Sequence, residues 1–85
     1  MGNIYYNQKN YDKAFEFYLA AAEQDVAQAQ YNVGVYYMNG IGSLEKDEIK
    51  SKEWLDKAHK NGSQDALNLL RRIEEQRILR QLLGQ

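Results

Sequence analysis

His59 is the side chain best suited to acid–base chemistry, because an imidazole can take up and release a proton near neutral pH. Such a group contributes to catalysis only when a partner group is held beside it. The chain has no cysteine, and no serine lies within one turn of His59 on its predicted helix. We therefore interpret His59 as a surface histidine and predict no catalytic residue.

Asp65, Glu74 and Glu75 could imitate the paired carboxylates of an acid–base enzyme. Arg71, Arg72 and Arg77 lie near them in the same predicted helix, where side chains three or four residues apart are neighbours. Solvated ion pairs along this helix are the better interpretation. With no cysteine and one histidine, the chain cannot form thiolate or histidine-cluster metal sites. The sequence predicts neither a metal nor a cofactor.

Gly40 and Gly42 form a Gly-x-Gly pattern that could suggest a phosphate-binding loop. The pattern lacks the third glycine, the preceding strand and the following Gly-Lys-Ser of such loops. Glycine also supplies the left-handed backbone that ends a helix. We therefore interpret the pattern as a structural turn.

The composition describes one small domain, because 85 residues cannot build two independent cores. Hydrophobic residues make up 44% and charged residues 27%, as in ordinary globular proteins. A net charge of −1 argues against a nucleic-acid partner. The sequence contains no run of about 20 apolar residues, so no membrane span is predicted. No N-terminal stretch has the pattern of a signal peptide. We therefore expect a cytoplasmic protein.

The elements that would position any site are helices, because proline is absent and alanine, leucine, glutamate and lysine are frequent. Apolar residues between Tyr11 and Gln24 fall on one helical stripe, with Asn10 as a possible cap. A shorter helix is predicted over residues 2–8. Together with the three helices that follow, this gives about five, joined by short turns.

Start and stop signals delimit the remaining three helices. Asp25 is expected to cap the third helix in a capping box with Gln28. Asn39-Gly40 is expected to end the third helix. The fourth helix is expected to begin at the cap Asp47 and to end at Asn61-Gly62. Ser63 is expected to cap the fifth helix, which runs to about Leu83.

Short patterns recur along the chain. Asp25-x-x-x-Ala29 returns as Gly62-x-x-x-Ala66, and Gly2-x-x-Tyr5 returns as Gly34-x-x-Tyr37. The two separations bracket the roughly 34-residue period of two-helix repeats. One helix pair cannot bury both its faces, so successive pairs must stack.

Residues 27–62 resemble one full Sel-one-like repeat, a relative of the tetratricopeptide repeat. The matching pattern is Ala29-x-Tyr31-x-Val33-Gly34-x-x-Tyr37-x-x-Gly40-x-Gly42, followed by Asp47-x-x-Lys50-Ser51-x-x-Trp54-x-x-Lys57-Ala58-x-x-x-Gly62. Ser43 and Ser51 depart from the valine and alanine that the family prefers. The resemblance implies antiparallel helix-turn-helix repeats in a short α-solenoid and an adaptor role, which in this family serves bacterial signalling, host contact or protein quality control.

The resemblance divides the single domain of residues 1–85 into three parts. Residues 2–24 are expected to form a truncated tetratricopeptide-like repeat, and residues 25–62 the Sel-one-like repeat. Residues 63–85 are expected to form a longer capping helix and tail, because Arg71 stands where a repeat would have its close-packing glycine.

In such a stack the first helix of each pair lines a concave face that suits an extended peptide or a helix. Asp65 and Leu69 stand where a carboxylate clamp would need positive charge, so the resemblance does not extend to that type of site. By resemblance, the partner-binding residues are Asn3, Tyr6, Asn7, Gln28, Tyr31, Val35, Met38, Asn39, Asn68 and Arg72, with Asp65 beside them.

The C-terminal helix carries two apolar patches. The step from Ile73 to Ile78 turns the helix by about 140°, so a straight helix cannot press both patches on one core. The second patch consists of Ile78, Leu79, Leu82 and Leu83. It either folds over the stack or docks on another chain.

These observations predict a protein–protein interaction module that binds a peptide or a helix and has no enzymatic activity. The alternative is a structural or engineered repeat fragment that self-associates through its open ends and its leucine-rich tail. A small hydrolase around His59 is a third, distant possibility, because no second catalytic residue accompanies the histidine. We expect a protein or peptide partner or a homo-oligomer, and neither nucleic acid nor a membrane.

Overall fold

A computed structural model describes residues 2–84, apart from the side chain of Tyr5. Within this range the chain forms five α-helices and no strand, which confirms the predicted all-α fold. The helices are α1 (Gly2–Asn7), α2 (Tyr11–Glu23), α3 (Ala27–Asn39), α4 (Glu48–Lys60) and α5 (Gln64–Leu83). Met1, Gln85 and the side chain of Tyr5 lie outside the described residues. The predicted correspondence of Tyr5 with Tyr37 therefore falls on a side chain that is not described.

Each helix packs on the next one along the chain, from α1 to α5. Short connections make the neighbours antiparallel. A cluster of Ala22, Ala29 and Val33 fills the space between α2 and α3, and half-buried aromatic side chains such as Trp54 close over it. A second cluster of buried apolar side chains joins α4 to α5.

Two predicted caps are present. The Asp47 carboxylate accepts the backbone N–H of Lys50 at 3.0 Å, and the Ser63 hydroxyl accepts that of Ala66 at 3.1 Å. Gly40 ends α3 in the left-handed conformation, with φ at 62°. These local signals position the first turns of α4 and α5 and the start of the loop between α3 and α4.

The predicted cap of α3 is wrong. Asp25 itself adopts a left-handed conformation with φ at 63°, and Val26 is the N-cap residue without a side-chain hydrogen bond. The Asp25 backbone N–H instead donates to the Ala22 carbonyl, so Asp25 completes the turn that ends α2. Asn10 occupies the N-cap position of α2, but its side chain forms no capping hydrogen bond.

Helices α3 and α4 approach each other closely at Gly34. A Cβ atom at this position would lie 2.8 Å from two side-chain atoms of Leu55 and 3.3 Å from the Ser51 carbonyl oxygen. The Ser51 hydroxyl donates to the Gly34 carbonyl at 2.7 Å. The serine that replaces the alanine expected from the family therefore adds a buried hydrogen bond to this contact.

The buried side chain of Gln30 on α3 connects this helix to α2 and α4. Its amide nitrogen donates to the Ala22 carbonyl at 3.1 Å, and its amide oxygen accepts from the Asn61 side chain at 2.8 Å. These bonds fix the end of α2 and the end of α4 to α3. Both ends of the Gln30 amide are thereby satisfied, as a buried polar group requires.

We expect Gly34→Ala to lower the free energy of unfolding by up to about 2 kcal/mol. Alanine improves helix propensity by about 1 kcal/mol, but overpacking against buried Leu55 costs about 1–3 kcal/mol, and the Ser51 backbone cannot easily retreat. Urea unfolding followed by circular dichroism measures the change. In a Leu55→Ala background the added methyl group enters vacated space, so the substitution should become neutral or stabilising. Equal costs in both backgrounds would contradict the steric explanation.

The loop of residues 40–46 is tied to α2 by an acid-sensitive contact. The Asp12 carboxylate accepts the Ser43 backbone N–H at 2.9 Å, and hydrogen bonding to Ser43 lowers the pKa of Asp12 below its usual 3.8. A carboxylate whose pKa is lower in the folded state stabilises that state above its unfolded pKa. This stabilisation is lost as the pH falls through the folded pKa.

We therefore expect the Ser43 amide resonance to titrate with a midpoint below pH 3.8, because protonation of Asp12 weakens the hydrogen bond. A pH series of ¹H–¹⁵N correlation spectra measures the midpoint. Asp12→Asn should abolish this titration. A Ser43 resonance that moves equally in both proteins would show that another group is responsible.

Candidate functional site

Residues of α3 line two cavities, one shared with α1 and the other shared with α5. Helices α1, α3 and α5 are the first helices of successive pairs. The cavity between α1 and α3, which we call the tyrosine groove, has a volume of about 340 Å³. It is lined by Asn3, Tyr6, Tyr18, Gln28, Tyr31, Asn32, Val35, Tyr36 and Ile41.

Helical spacing explains which side chains enter the tyrosine groove. Residues three, four or seven positions apart share one face of a helix. Asn3 and Tyr6 are so related on α1, and Gln28, Tyr31 and Val35 on α3. The structure brings these five sequence-predicted residues together in one cavity.

Tyr36 forms the floor of the tyrosine groove. It is only 2% exposed, and its hydroxyl donates to the Tyr11 carbonyl at 3.0 Å. The rings of Tyr6 and Tyr18 lie edge-on to it, with centroid distances of 6.3 and 5.8 Å. Edge-to-face packing of this kind stabilises aromatic clusters beyond their buried area. The floor is therefore a buried aromatic cluster in which the Tyr36 hydroxyl already has a hydrogen-bond partner.

One hydrogen bond crosses the rim of the groove from α2 to α1. The Tyr18 hydroxyl donates to the Asn3 amide oxygen at 2.7 Å. Burial raises the pKa of Tyr36 to about 12, and burial also raises the pKa of Tyr18, with a smaller contribution from Tyr6. Both hydroxyls stay protonated at physiological pH, so the groove offers neutral polar groups above an aromatic floor.

Four lining residues were not predicted, namely Tyr18, Asn32, Tyr36 and Ile41. The sequence-based prediction took groove residues only from selected positions of the first helices. Tyr18 belongs to α2 and Ile41 to the following loop, so their positions depend on packing between elements. Asn32 and Tyr36 lie on α3 beside Tyr31 and Val35, and a wider helical stripe would have included them.

The second cavity, which we call the arginine groove, lies between α3 and α5 at the start of α4. Its volume is about 300 Å³. It is lined by Met38, Asn39, Lys46, Glu48, Ser51, Ile73, Gln76, Arg77 and Arg80. Met38 and Asn39 are the sequence-predicted residues that it contains.

The remaining predicted residues lie in neither groove. Asn7 is exposed at the end of α1, and Arg72 is exposed on α5. Asn68 is exposed and accepts a hydrogen bond from the Gln64 side chain at 3.2 Å. The face predicted from the sequence is therefore wider than the two cavities in the structure.

Tyr31 and Met38 serve the core as well as the grooves. Both are half-buried and pack against the cluster of Leu55, Ala58 and Ala66. Truncating either side chain would remove packing between repeats. Substitutions that test binding should therefore be made at other groove residues.

The second apolar patch of α5 does not fold over the stack. Ile78, Leu79, Leu82 and Leu83 are 47, 55, 64 and 85% exposed. The first patch, which includes Leu69, Leu70 and Ile73, packs against the core. The two patches face different directions, as the five-residue step between them requires.

The structure offers little to support chemistry at other positions. His59 is exposed near the end of α4. Among residues 2–84, no group of three or more acidic or histidine side chains is arranged to hold a metal ion. Over the same residues, no helix combines the length and the apolar character needed to cross a bilayer.

The stacked antiparallel helix pairs and the cavities between their first helices define a helical-repeat protein. The Sel1 repeat model matches residues 1–26 and 27–63. These matches cover more than half of the chain, and the chain therefore belongs to the Sel1 repeat family. The first helix pair, which the sequence indicated as a truncated tetratricopeptide-like unit, is itself matched by this model.

A curated relative supports the family assignment. The chain is 44% identical over 55 residues to the ERAD-associated E3 ubiquitin-protein ligase component HRD3 of Candida glabrata. The matched segment covers 65% of this chain and 6% of that protein. The similarity therefore concerns a repeat segment and not the whole relative. No solved structure matches the chain.

Proposed function

We propose that this chain is a non-catalytic protein–protein interaction module that binds a peptide or helical segment in the tyrosine groove. The observation that carries the proposal is the cavity itself, in which five residues predicted for peptide binding meet between α1 and α3. Membership of the Sel1 repeat family supports an interaction role. The similar HRD3 is by name a component of a larger ligase, which supports a role in assembly.

The chemistry of the tyrosine groove suits a peptide better than a charged metabolite. Amide groups of Asn3, Gln28 and Asn32 line it, and amides can donate to and accept from a peptide backbone. The lining contains no aspartate, glutamate, lysine, arginine or histidine. An apolar anchor side chain of the ligand would contact the aromatic floor, as in other peptide interfaces.

The double substitution Gln28→Ala plus Asn32→Ala tests this proposal. Both substitutions raise helix propensity, so α3 should keep its fold. Loss of two hydrogen-bonding groups should weaken binding by about 1–2 kcal/mol, or about fivefold to thirtyfold. The ligand is a fluorescent peptide selected on the wild-type chain from a random display library, and anisotropy titration gives the affinity.

Gln64→Ala plus Asn68→Ala is the matched control, because it removes the same pair at the same spacing from α5, outside both grooves. This control should bind the peptide as the wild type does. If both double variants lose affinity equally, or if neither loses affinity while both remain folded, the tyrosine groove is not the binding site.

A second candidate function is self-association through the exposed patch of Ile78, Leu79, Leu82 and Leu83. The patch occupies the last turns of α5 and is largely solvent-exposed. Its members are spaced so that two copies can pack side by side as antiparallel helices. This candidate does not compete with the first, because the patch lines neither groove.

We expect the molar mass to rise above 9.9 kDa with concentration if this candidate is correct. Analytical ultracentrifugation measures the mass. Leu79→Glu plus Leu83→Glu should weaken association at least tenfold, because dimerisation would bury unpaired carboxylates. Ile49→Glu is the control, since Ile49 is also exposed but lies on α4. A wild-type mass of 9.9 kDa at every concentration would exclude this candidate.

A further inference from the structure

The arginine groove differs from the rest of the molecule in its charge. Its lining contains three cationic side chains, Lys46, Arg77 and Arg80, and one carboxylate, Glu48. The chain as a whole carries a net charge of −1. The lining of this cavity therefore carries an excess of positive charge that the chain as a whole lacks.

The cations stand beside apolar side chains. Ile73, Arg77 and Arg80 are spaced four and three residues apart, so they share one face of α5. Met38 lines the opposite wall, and it packs with Ile73 against the core. The groove therefore combines an apolar floor with a cationic rim.

The local carboxylates neutralise this rim only in part, because they pair with two of its three cations. Glu48 lies 3.6 Å from Lys46, and Glu74 lies 3.0 Å from Arg77, and all four side chains are mostly exposed. Exposed pairs of this kind contribute little and exchange readily with other partners. Among residues 2–84, Arg80 forms no ion pair, which leaves its guanidinium available to a ligand.

We propose that the arginine groove binds an acidic peptide segment that carries an apolar anchor side chain. The anchor lies against Met38 and Ile73, and carboxylates of the ligand pair with Arg77, Arg80 and Lys46. Guanidinium groups suit this task because each can donate two parallel hydrogen bonds to one carboxylate. Side-chain carboxylates suffice, so a free chain terminus is not required.

This inference does not rest on binding in the tyrosine groove. The two cavities share no lining residue, and their chemistry differs, since one is neutral and the other cationic.

The experiment uses three fluorescent twelve-residue peptides made of four repeats of Leu-Glu-Glu, Leu-Gln-Gln or Leu-Lys-Lys. We expect the acidic peptide to bind at least tenfold more tightly than the neutral one in low salt, and the basic one not to bind. Its affinity should fall with added salt, because exposed charges are screened. Anisotropy titration measures all three affinities.

A triple variant assigns the binding to the groove. The triple variant with Lys46→Gln, Arg77→Gln and Arg80→Gln should bind the acidic peptide with about tenfold lower affinity. The control, Lys52→Gln with Lys60→Gln and Arg71→Gln, removes the same charge from exposed positions outside both grooves and should change the affinity less than twofold. Thermal unfolding by circular dichroism confirms that both triple variants are folded.

Three results would overturn the inference. These are equal binding of the acidic and neutral peptides, equal losses in the two triple variants, and tighter binding of an oligothymidylate or an anionic vesicle that the groove variant alone weakens. Failure of the tyrosine groove is a separate result, because Gln28→Ala plus Asn32→Ala should leave the acidic peptide unaffected.

Discussion

The close contact of α3 with α4 is the constraint on which the stack depends. Gly34 allows the two helices to approach until Leu55 fills the space that a Cβ atom would occupy, and the Ser51 hydroxyl closes the contact with a buried hydrogen bond. Since each helix packs on the next, this contact sets where α4 presents its face to α5. The arginine groove is lined by residues from α3, α4 and α5, so its shape depends on that spacing.

The tyrosine groove depends on a different device, the buried ring of Tyr36. A tyrosine can be buried at this position because its hydroxyl has a partner in the Tyr11 carbonyl. The same bond joins α3 to α2, so the floor of the groove is also an inter-helix contact. The walls of the groove are formed by α1 and α3. Helix α2 packs against both of them and thereby sets the distance between them. Binding residues and stacking residues are therefore neighbours along the same helices.

Local features were predicted well from the sequence, and features that depend on packing were not. The caps at Asp47 and Ser63 and the stop at Gly40 need only a few neighbouring residues, and they are present. Asp25 was misassigned because its left-handed turn satisfies the end of α2 instead of the start of α3. Tyr18 enters the tyrosine groove from α2, and helical spacing within one element cannot predict that. The cationic rim was not predicted, because it forms only where packing brings Lys46 of the loop close to Arg77 and Arg80 of α5.

The length of α5 has a mechanical consequence. The 20 residues of α5 exceed the 13 residues of α4, so at 1.5 Å per residue its end extends about 10 Å further than a matched helix would. The core cluster holds the first half of α5, as far as Ile73. The second half, from Glu74 to Leu83, projects about 15 Å beyond it. A bend of about 10° between the two halves would displace the leucine-bearing end by about 3 Å.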